Sequence, residues 1–521
     1  MKSPVRIACA IFLAVFTLLL AMHSNRIVAT NDEGILLDAA QRVANGQRPY
    51  VDFWAYMTPG SYWLQAVLFK LLGVSLFAAR LIVIFDFALQ CALVFWLTAK
   101  LASSRAAWFA KLAFLGFQMA DPSFLTAQHR WDSSTWALAG VAMAIVACSR
   151  GAHSRGQWIA AGAVMAVAAW CTPTTGMVLI VTAGWLAWQP ARRASLAPLL
   201  CGAAVPFALG AVWLISNQGL IPMVEQILWL RKNYMVNAMP YGSIVGGYAA
   251  LFEDLSGNLD LTIRVILVSC VALPAILPIV ALLGWGWLLR GGKLDADERN
   301  FGVLCLLAAA ALILALSPRP DVMHLAFVVA LPYVLSAAAF SKLIPDAVRI
   351  PGGMIAVLLA VVFSMHSFSG LGALTNVASP VGNLRVDNKQ GADMQKLLAT
   401  VHPGNSLFVY PYMPMHYFVT QGRNPTVYSF FSPGMATKRE ALDALAQLQQ
   451  QPPEWLLYMK ISTKELLRVV PKGESVEWRY PELEGWLEEN YAPEPETRAV
   501  VAGYELRRRR GPQQLLRAAE R

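Results

Sequence analysis

The chain has 521 residues, 57% of them apolar and 14% charged, with a formal net charge of +10. Its apolar residues are gathered into long runs instead of being spread at a helical or alternating period, which excludes an ordinary soluble enzyme. The positive charge does not point to nucleic acid, because basic residues in a membrane protein mainly mark its cytoplasmic loops.

In chain order, hydropathy predicts about eleven spans. They are Ile7–Met22, Leu81–Ala99, Ala106–Ala120, Thr135–Ala147, Trp158–Trp170, Gly176–Trp188, Leu196–Ile215, Leu261–Leu289, Phe301–Leu316, Val322–Phe340 and Ile350–Phe368. Helices are expected because every backbone N–H and C=O must be paired inside lipid. The first run, behind Lys2 and Arg6, has a secretory signal peptide as its alternative reading, but no small-residue cleavage site follows it. Ser61 to Gly73 is apolar on much of its circumference yet too short to span, so it reads as an interfacial helix with Tyr62 and Trp63 at headgroup level. The seven cysteines lie in or beside apolar runs and imply neither a disulfide framework nor a cysteine zinc site.

With the N-terminus inside, alternate loops carry Lys100 and Arg105, Arg150 and Arg155, Arg192 and Arg193, then Arg290, Lys293 and Arg299, and last Lys342 and Arg349. That is the positive-inside pattern, and the opposite orientation would put every pair outside. Three regions then face outward: His23 to Arg80, Ser216 to Asp260, and everything after Ser369. The expected organisation is a polytopic α-helical module over 1–368, with a structured first outer loop at 23–80, followed by a small extracytoplasmic α/β domain over 369–521. Within that domain the pattern predicts a helix from Gly391 to Thr400, a strand at Ser406–Tyr410, a helix at Thr437–Gln450 and a strand at Trp455–Met459. The Arg507–Arg510 run reads as a solvated tail or as a contact for anionic lipid headgroups. Tyr410 to Pro414 and Tyr428 to Gly434 are aromatic, proline-bearing stretches that suit either sugar stacking or core packing.

The chemistry concentrates at the outer ends of the spans. Asn31-Asp32-Glu33-Gly34 places two adjacent carboxylates just beyond the first span, where one can act as a base or bind a cation. The alternative is a helix cap, with Asp32 satisfying free N–H groups of a helix from Gly34 to Ala44. Ser317-Pro318-Arg319-Pro320-Asp321-Val322-Met323-His324 is too polar for a mere connector and is stiffened by two prolines. Arg319 and His324 are candidates for holding a phosphate, unless Arg319 only pairs with Asp321. Arg231 and Lys232 are further candidates, against a reading in which their stems merely snorkel from an interfacial helix. His129 and Arg130 at a span end could assist, although a histidine there also serves as a simple hydrogen-bonding residue. No cofactor is implied; a divalent cation is left open, with Asp32, Glu33, Asp132 and His129 as its ligands if they converge, although no tight ligand spacing is present.

Asp32-Glu33-Gly34, then Gly46-Gln47-Arg48-Pro49-Tyr50 with Asp52 close behind, Pro59-Gly60-Ser61-Tyr62-Trp63-Leu64, and Leu71 to Arg80 together resemble the N-terminal region of GT-C fold membrane glycosyltransferases. The similarity is to the protein O-mannosyltransferase and lipid A aminoarabinose transferase superfamily and covers roughly Ala29 to Ala142. Aminoarabinose transferases carry a basic residue before the proline of the interfacial helix, where this chain has Thr58, so the resemblance is to the superfamily rather than to that branch. It implies a catalytic or acceptor-binding acid at Asp32 with Glu33 beside it, and a second acidic position at Asp132, for which Asp121 is a rival. It also implies transfer of a sugar from a polyprenyl-phosphate donor to a lipid, glycan or protein acceptor on the outer side of a bacterial inner membrane, by inverting displacement. The absence of a P-loop and of a dinucleotide fingerprint agrees with a lipid-linked donor. An oligosaccharide ligase or polymerase, or a transporter, are the alternative readings; a transporter would usually show inverted repeats, and none is visible.

Overall fold

A computed structural model describes residues 4–23, 25–27, 31–118, 125–150, 154–242, 272–292, 294–369, 374–432, 435–460, 479–494 and 499–511. Asp121, Lys293 and the 261–271 part of the span expected at Leu261–Leu289 lie outside the described residues. The chain divides into two compact units: residues 1–22, 82–213 and 239–369 in one, and 23–81, 214–238 and 370–521 in the other.

The first unit is helical. It contains α1 (Pro4–Ala21), the 82–101 part of α4 (Leu76–Leu101), α5 (Ser104–Gln118), α6 (His129–Arg150), α7 (Arg155–Cys171), α8 (Met177–Trp188), α9 (Leu196–Ser216, ending in the other unit), α11 (Leu273–Arg290), α12 (Ala296–Leu314), α13 (Val322–Ala326), α14 (Ala330–Leu343) and α15 (Asp346–Ser369). Among the described residues α1, α4, α6, α11 and the stretch Pro190–Ser216 are long and apolar enough to cross a membrane, and the chain is a multi-pass membrane protein. Each needs all its backbone bonds internal, which only a helix of this length supplies in lipid. Glycine sets the close approaches. A Cβ on Gly162 of α7 would lie 1.9 Å from the Leu199 carbonyl oxygen of α9, and one on Gly202 would lie 1.9 Å from that of Ile159, so the two helices cross backbone to backbone. Gly302 of α12 likewise vacates the space filled by the buried Trp285 ring, whose N–H donates to the Leu335 carbonyl at 2.9 Å.

The span expected over Val322–Phe340 is instead two helices, α13 and α14, separated by a turn at 327–329. Asp321 caps α13 by accepting the His324 backbone N–H at 2.9 Å. Pro332 explains the break. Inside a continuous helix it would remove one hydrogen bond and clash with the carbonyl four residues back, whereas in the first turn of α14 its missing N–H costs nothing.

The second unit joins α2 (Asn31–Ala44), α3 (Gly60–Leu72) and α10 (Leu220–Asn233) to the region after residue 370. That region holds a hairpin of β1 (Leu374–Val377) and β2 (Leu384–Asp387), then α16 (Asn388–Thr400), β3 (Leu407–Tyr410), α17 (Met415–Thr420), α18 (Lys438–Gln450), β4 (Trp455–Tyr458), α19 (Pro481–Asn490), β5 (Tyr491–Pro493), β6 (Val500–Val501) and β7 (Tyr504–Arg509). The sheet runs β3-β4-β7-β5, parallel between β3 and β4 and antiparallel elsewhere. Its face packs Phe408, Leu456 and Phe431 against Leu448 of α18 and Leu483 and Leu487 of α19. Each such side chain contributes about 1.5–3 kcal/mol on burial. The arginine run is therefore a strand and not a tail: Arg507 and Arg508 lie over the rings of Tyr458 and Trp455, 4.4 and 5.2 Å from their centroids. Its alternating Tyr504 and Leu506, both fully buried, supply the apolar face that the charges conceal in the sequence.

Candidate functional site

The acidic motif opens α2. Asp32 stands in the first turn of a helix that begins at Asn31, so it lies inside the helix instead of capping it, in the position where a carboxylate meets the positive end of the helix dipole. Glu33 is completely buried and accepts two hydrogen bonds from Arg80, from Nε at 3.0 Å and Nη2 at 2.8 Å. This is a paired, bidentate arrangement, the form in which a buried charge is tolerated. Asp32 is only partly buried. The two neighbours thus have different surroundings, although the sequence sets them side by side. His23 lies within range of Arg80 and Glu33, and burial holds its ring below the usual histidine range.

The third residue of the motif has a packing reason. A Cβ on Gly34 would lie 2.3 Å from the backbone nitrogen of Met415, so α17 seats directly on α2. Further along α2, burial pushes the Asp38 carboxyl up, and Asp38 accepts the hydroxyl of Ser429. Arg42 donates to the same Ser429 at 3.2 Å. Gln41 is bonded to Gln421 at 2.8 Å. Asp52 is taken up locally: its carboxylate closes a turn with the Arg48 side chain at 2.8 Å and the Arg48 backbone N–H at 2.7 Å, which holds it below the usual carboxylate range. Arg231 and Lys232 sit exposed in the last turn of α10, where cations suit the helix dipole.

In the first unit, Asp132 lies in the first turn of α6, 1% exposed, and its partner is a residue that the sequence reading passed over. The side chain of Asp86 on α4, equally buried, lies beside it and beside Thr135. Gln90, one turn on from Asp86, donates to Ser134 at 3.1 Å and to Thr135 at 2.8 Å, which extends the polar cluster between α4 and α6. The signal was present in the sequence: an aspartate in the middle of an apolar run is costly in lipid and marks function.

The N-terminal end of α6 also meets the segment around residue 321. Trp131 packs edge-to-face on Phe327 at 5.1 Å, and Gln118 donates to the Ala326 carbonyl at 3.2 Å. Asp321 binds Arg319 Nε at 2.7 Å and His324 Nδ1 at 2.6 Å. Burial would raise the Asp321 carboxyl, but its bonds and charge contact with His324 and Arg319 outweigh that and hold it well below the usual range. The ion pair considered for Arg319 is therefore formed, and His324 shares it. His129 is bonded through Nδ1 to the Thr172 hydroxyl at 2.7 Å, and Arg130 beside it is half-buried. Among the described residues no three His, Cys, Asp or Glu side chains converge as a metal site would require.

No family model matches the sequence, and no curated protein is similar to it at a significant level. Solved structures do match. The oligosaccharyltransferase of Archaeoglobus fulgidus, tethered to an acceptor peptide, is 13% identical with a TM-score of 0.52 over 94% of this chain and 73% of that one. ArnT of Cupriavidus metallidurans, bound to undecaprenyl phosphate, is 14% identical with a TM-score of 0.51 over 86% of this chain and 88% of that one. The archaeal enzyme in complex with an inhibitory peptide and a dolichol-phosphate matches equally, at 11% identity and a TM-score of 0.52. These likenesses show the GT-C fold that the N-terminal motifs implied.

Proposed function

We propose that this chain transfers a sugar from a polyprenyl-phosphate donor to an acceptor hydroxyl on the outer side of a bacterial inner membrane. One observation carries the reading. Of the three stretches that the basic loops assign to the outside, the first, the 216–238 part of the second and the region after residue 370 fall in one compact unit, and the acidic motif lies in it. The GT-C fold supports the same class, since two of the similar structures hold an undecaprenyl phosphate and a dolichol-phosphate.

In the proposed reaction Asp32 takes the proton of the acceptor hydroxyl as its oxygen attacks the anomeric carbon. The bond from that carbon to the phosphate oxygen breaks, configuration inverts, and the polyprenyl phosphate leaves with the electron pair. That leaving group needs positive charge to receive it, the role proposed for Arg319 and His324 with Arg231 and Lys232 as auxiliaries. Asp321 would fix the orientation of the first two. Glu33, bound to Arg80, would hold the first turn of α2 in place, leaving the base role to Asp32. A second acidic role is proposed for Asp132 in the first turn of α6, with His129 and Arg130 in the same turn.

The test is mass spectrometry of membrane glycolipids, surface polysaccharide and secreted proteins from cells carrying the wild-type gene, no gene, or Asp32→Asn. The expected outcome is one glycosylated species lost in both mutant strains. Identical glycan profiles in all three would remove the reading.

A further inference from the structure

Two arginines that none of the roles above uses are paired in the second unit. Just after α1, residues 25–27 lie along β2, with Arg26 opposite Arg385 in a parallel bridge. Three hydrogen bonds fix this register. Arg385 N–H donates to the Asn25 carbonyl at 2.9 Å, Ile27 N–H donates to the Arg385 carbonyl at 2.9 Å, and the Asn25 side-chain amide donates to the Asn383 carbonyl at 2.9 Å. On its other side Arg385 is paired with Asn376 of β1. Residues paired across neighbouring strands leave the sheet on the same face, and neighbouring strands lie about 4.8 Å apart. Arg26, Arg385 and Asn376 therefore form one row of side chains that donate hydrogen bonds, while Leu384 and Val386, on the opposite face of β2, are buried.

Such a row is unfavourable until something negative completes it. Like charges directly opposite one another destabilise a sheet, and both arginines are partly buried, which takes away water that would weaken their repulsion. Among the described residues Arg26 forms no ion pair. The carboxylate on this face of β2 is Asp387, which is exposed and already engaged as the cap of α16, accepting the Lys389 N–H at 2.9 Å. Two guanidinium forks side by side match a phosphate, whose oxygens accept paired N–H bonds from each fork. The place in the chain favours a phosphate carried by a lipid. The apolar helix α1 is long enough to cross a membrane and ends at Ala21. The five residues from there to Arg26 reach at most about 17 Å, so covalent connection alone keeps Arg26 near the membrane surface.

We infer that Arg26 and Arg385 together bind the phosphate group of a membrane lipid. Two sources carry that chemistry: the polyprenyl phosphate of the proposed reaction, and an ordinary anionic phospholipid. The inference does not rest on the transfer reading, since it needs neither Asp32 nor an acceptor.

The experiment is native mass spectrometry of the full chain in detergent, counting bound lipid during titration with undecaprenyl phosphate, with undecaprenol, which lacks the phosphate, or with phosphatidylglycerol. Wild type is compared with Arg26→Gln and Arg385→Gln. Glutamine removes the charge and leaves the backbone bonds of the bridge in place, so the unfolding temperature without lipid should stay the same or rise as one of two opposed charges disappears. Affinity for undecaprenyl phosphate should fall roughly tenfold or more in each variant, the loss of a charge-assisted hydrogen bond, while undecaprenol binding stays unchanged. A matching fall for phosphatidylglycerol extends the site to headgroup phosphates in general; no change for phosphatidylglycerol restricts it to the polyprenyl lipid. Equal affinities for the phosphate lipids in wild type and both variants, or an undecaprenol affinity that falls as far as that of its phosphate, overturns the inference. A lower unfolding temperature in both variants without lipid also overturns it, because the arginines would then hold the sheet together. None of these results bears on Asp32, so the transfer reading is judged separately by its own assay.

Discussion

Replacing Gly34 by alanine tests whether the acidic motif is held by the region after residue 370. In a helix interior alanine is worth about 1 kcal/mol more than glycine, so with open space around it the substitution stabilises. Gly485 of α19 is such a position, with nothing within 4 Å of an added Cβ. At Gly34 the added carbon would stand 2.3 Å from the Met415 nitrogen and 2.8 Å from its Cα, both backbone atoms that no rotamer change can move. Ordinary contact lies near 3.5–4 Å, so α17 must retreat by more than about 1 Å. Overpacking of this kind costs about 1–3 kcal/mol, which outweighs the helix gain and makes the substitution destabilising. The assay is thermal unfolding of the full chain in detergent, with amide exchange followed over residues 31–44 and 415–420. Gly34→Ala should lower the unfolding temperature and speed exchange in both segments, while Gly485→Ala should raise the temperature slightly. Equal, stabilising shifts for the two variants would refute the close packing of α2 against α17.

Glu33→Gln removes one partner of a buried pair and leaves Arg80 uncompensated, so it should cost about 3–5 kcal/mol, read as a loss of folded protein after solubilisation; unchanged yield would show that the pair does not hold α2. His416 is 3% exposed, neither ring nitrogen has a hydrogen-bond partner, and burial lowers its pKa to about 4. The folded pKa lies below the ordinary 6.5, so the unfolded chain binds the extra proton between those values and stability falls as pH drops from 6.5 to about 4. The loss reaches about 3 kcal/mol, and His416→Phe should abolish this share of the acid sensitivity in pH-dependent unfolding curves. Asp86→Ala strips Asp132 of a buried partner and should cost about 1–3 kcal/mol, whereas Asp86→Asn, which can still bond, should cost less; equal losses would mean that the contact is incidental. In transfer assays Asp132→Asn should lose more activity than Asp121→Asn, and the reverse order would reassign the second acidic role.

Much of the architecture was legible because lipid leaves a chain few options. The expected span Leu196–Ile215 is α9 at Leu196–Ser216, and Gly176–Trp188 is α8 at Met177–Trp188. The short helix expected at Ser61–Gly73 is α3, Gly60–Leu72. In the region after residue 370, the helix at Thr437–Gln450 and the strand at Trp455–Met459 were placed to within a residue, because apolar periodicity switches cleanly between them. What escaped depended on partners distant in sequence. Hydropathy averaged over Val322–Phe340 hides the single proline that divides it. Strand β7 hides its buried alternation beneath three arginines, two of which lie over the aromatic rings of β4. At the site, the sequence marks Asp32 and Glu33 as equals, and only Arg80, 47 positions on, separates a buried, paired carboxylate from a half-exposed one. Asp86 stands within a span and not at its end, in a run apolar enough for one aspartate to stand out.

The central claim is that the Asp32 carboxylate is the base of a sugar transfer. The direct measurement is release of polyprenyl phosphate from a polyprenyl-phosphate sugar in vesicles reconstituted with wild-type protein or Asp32→Asn and supplied with membrane-extract acceptor. Loss of a general base predicts a fall of about 10²–10⁴-fold, with the variant folded and inserted as wild type. Release at the wild-type rate by Asp32→Asn would contradict the account.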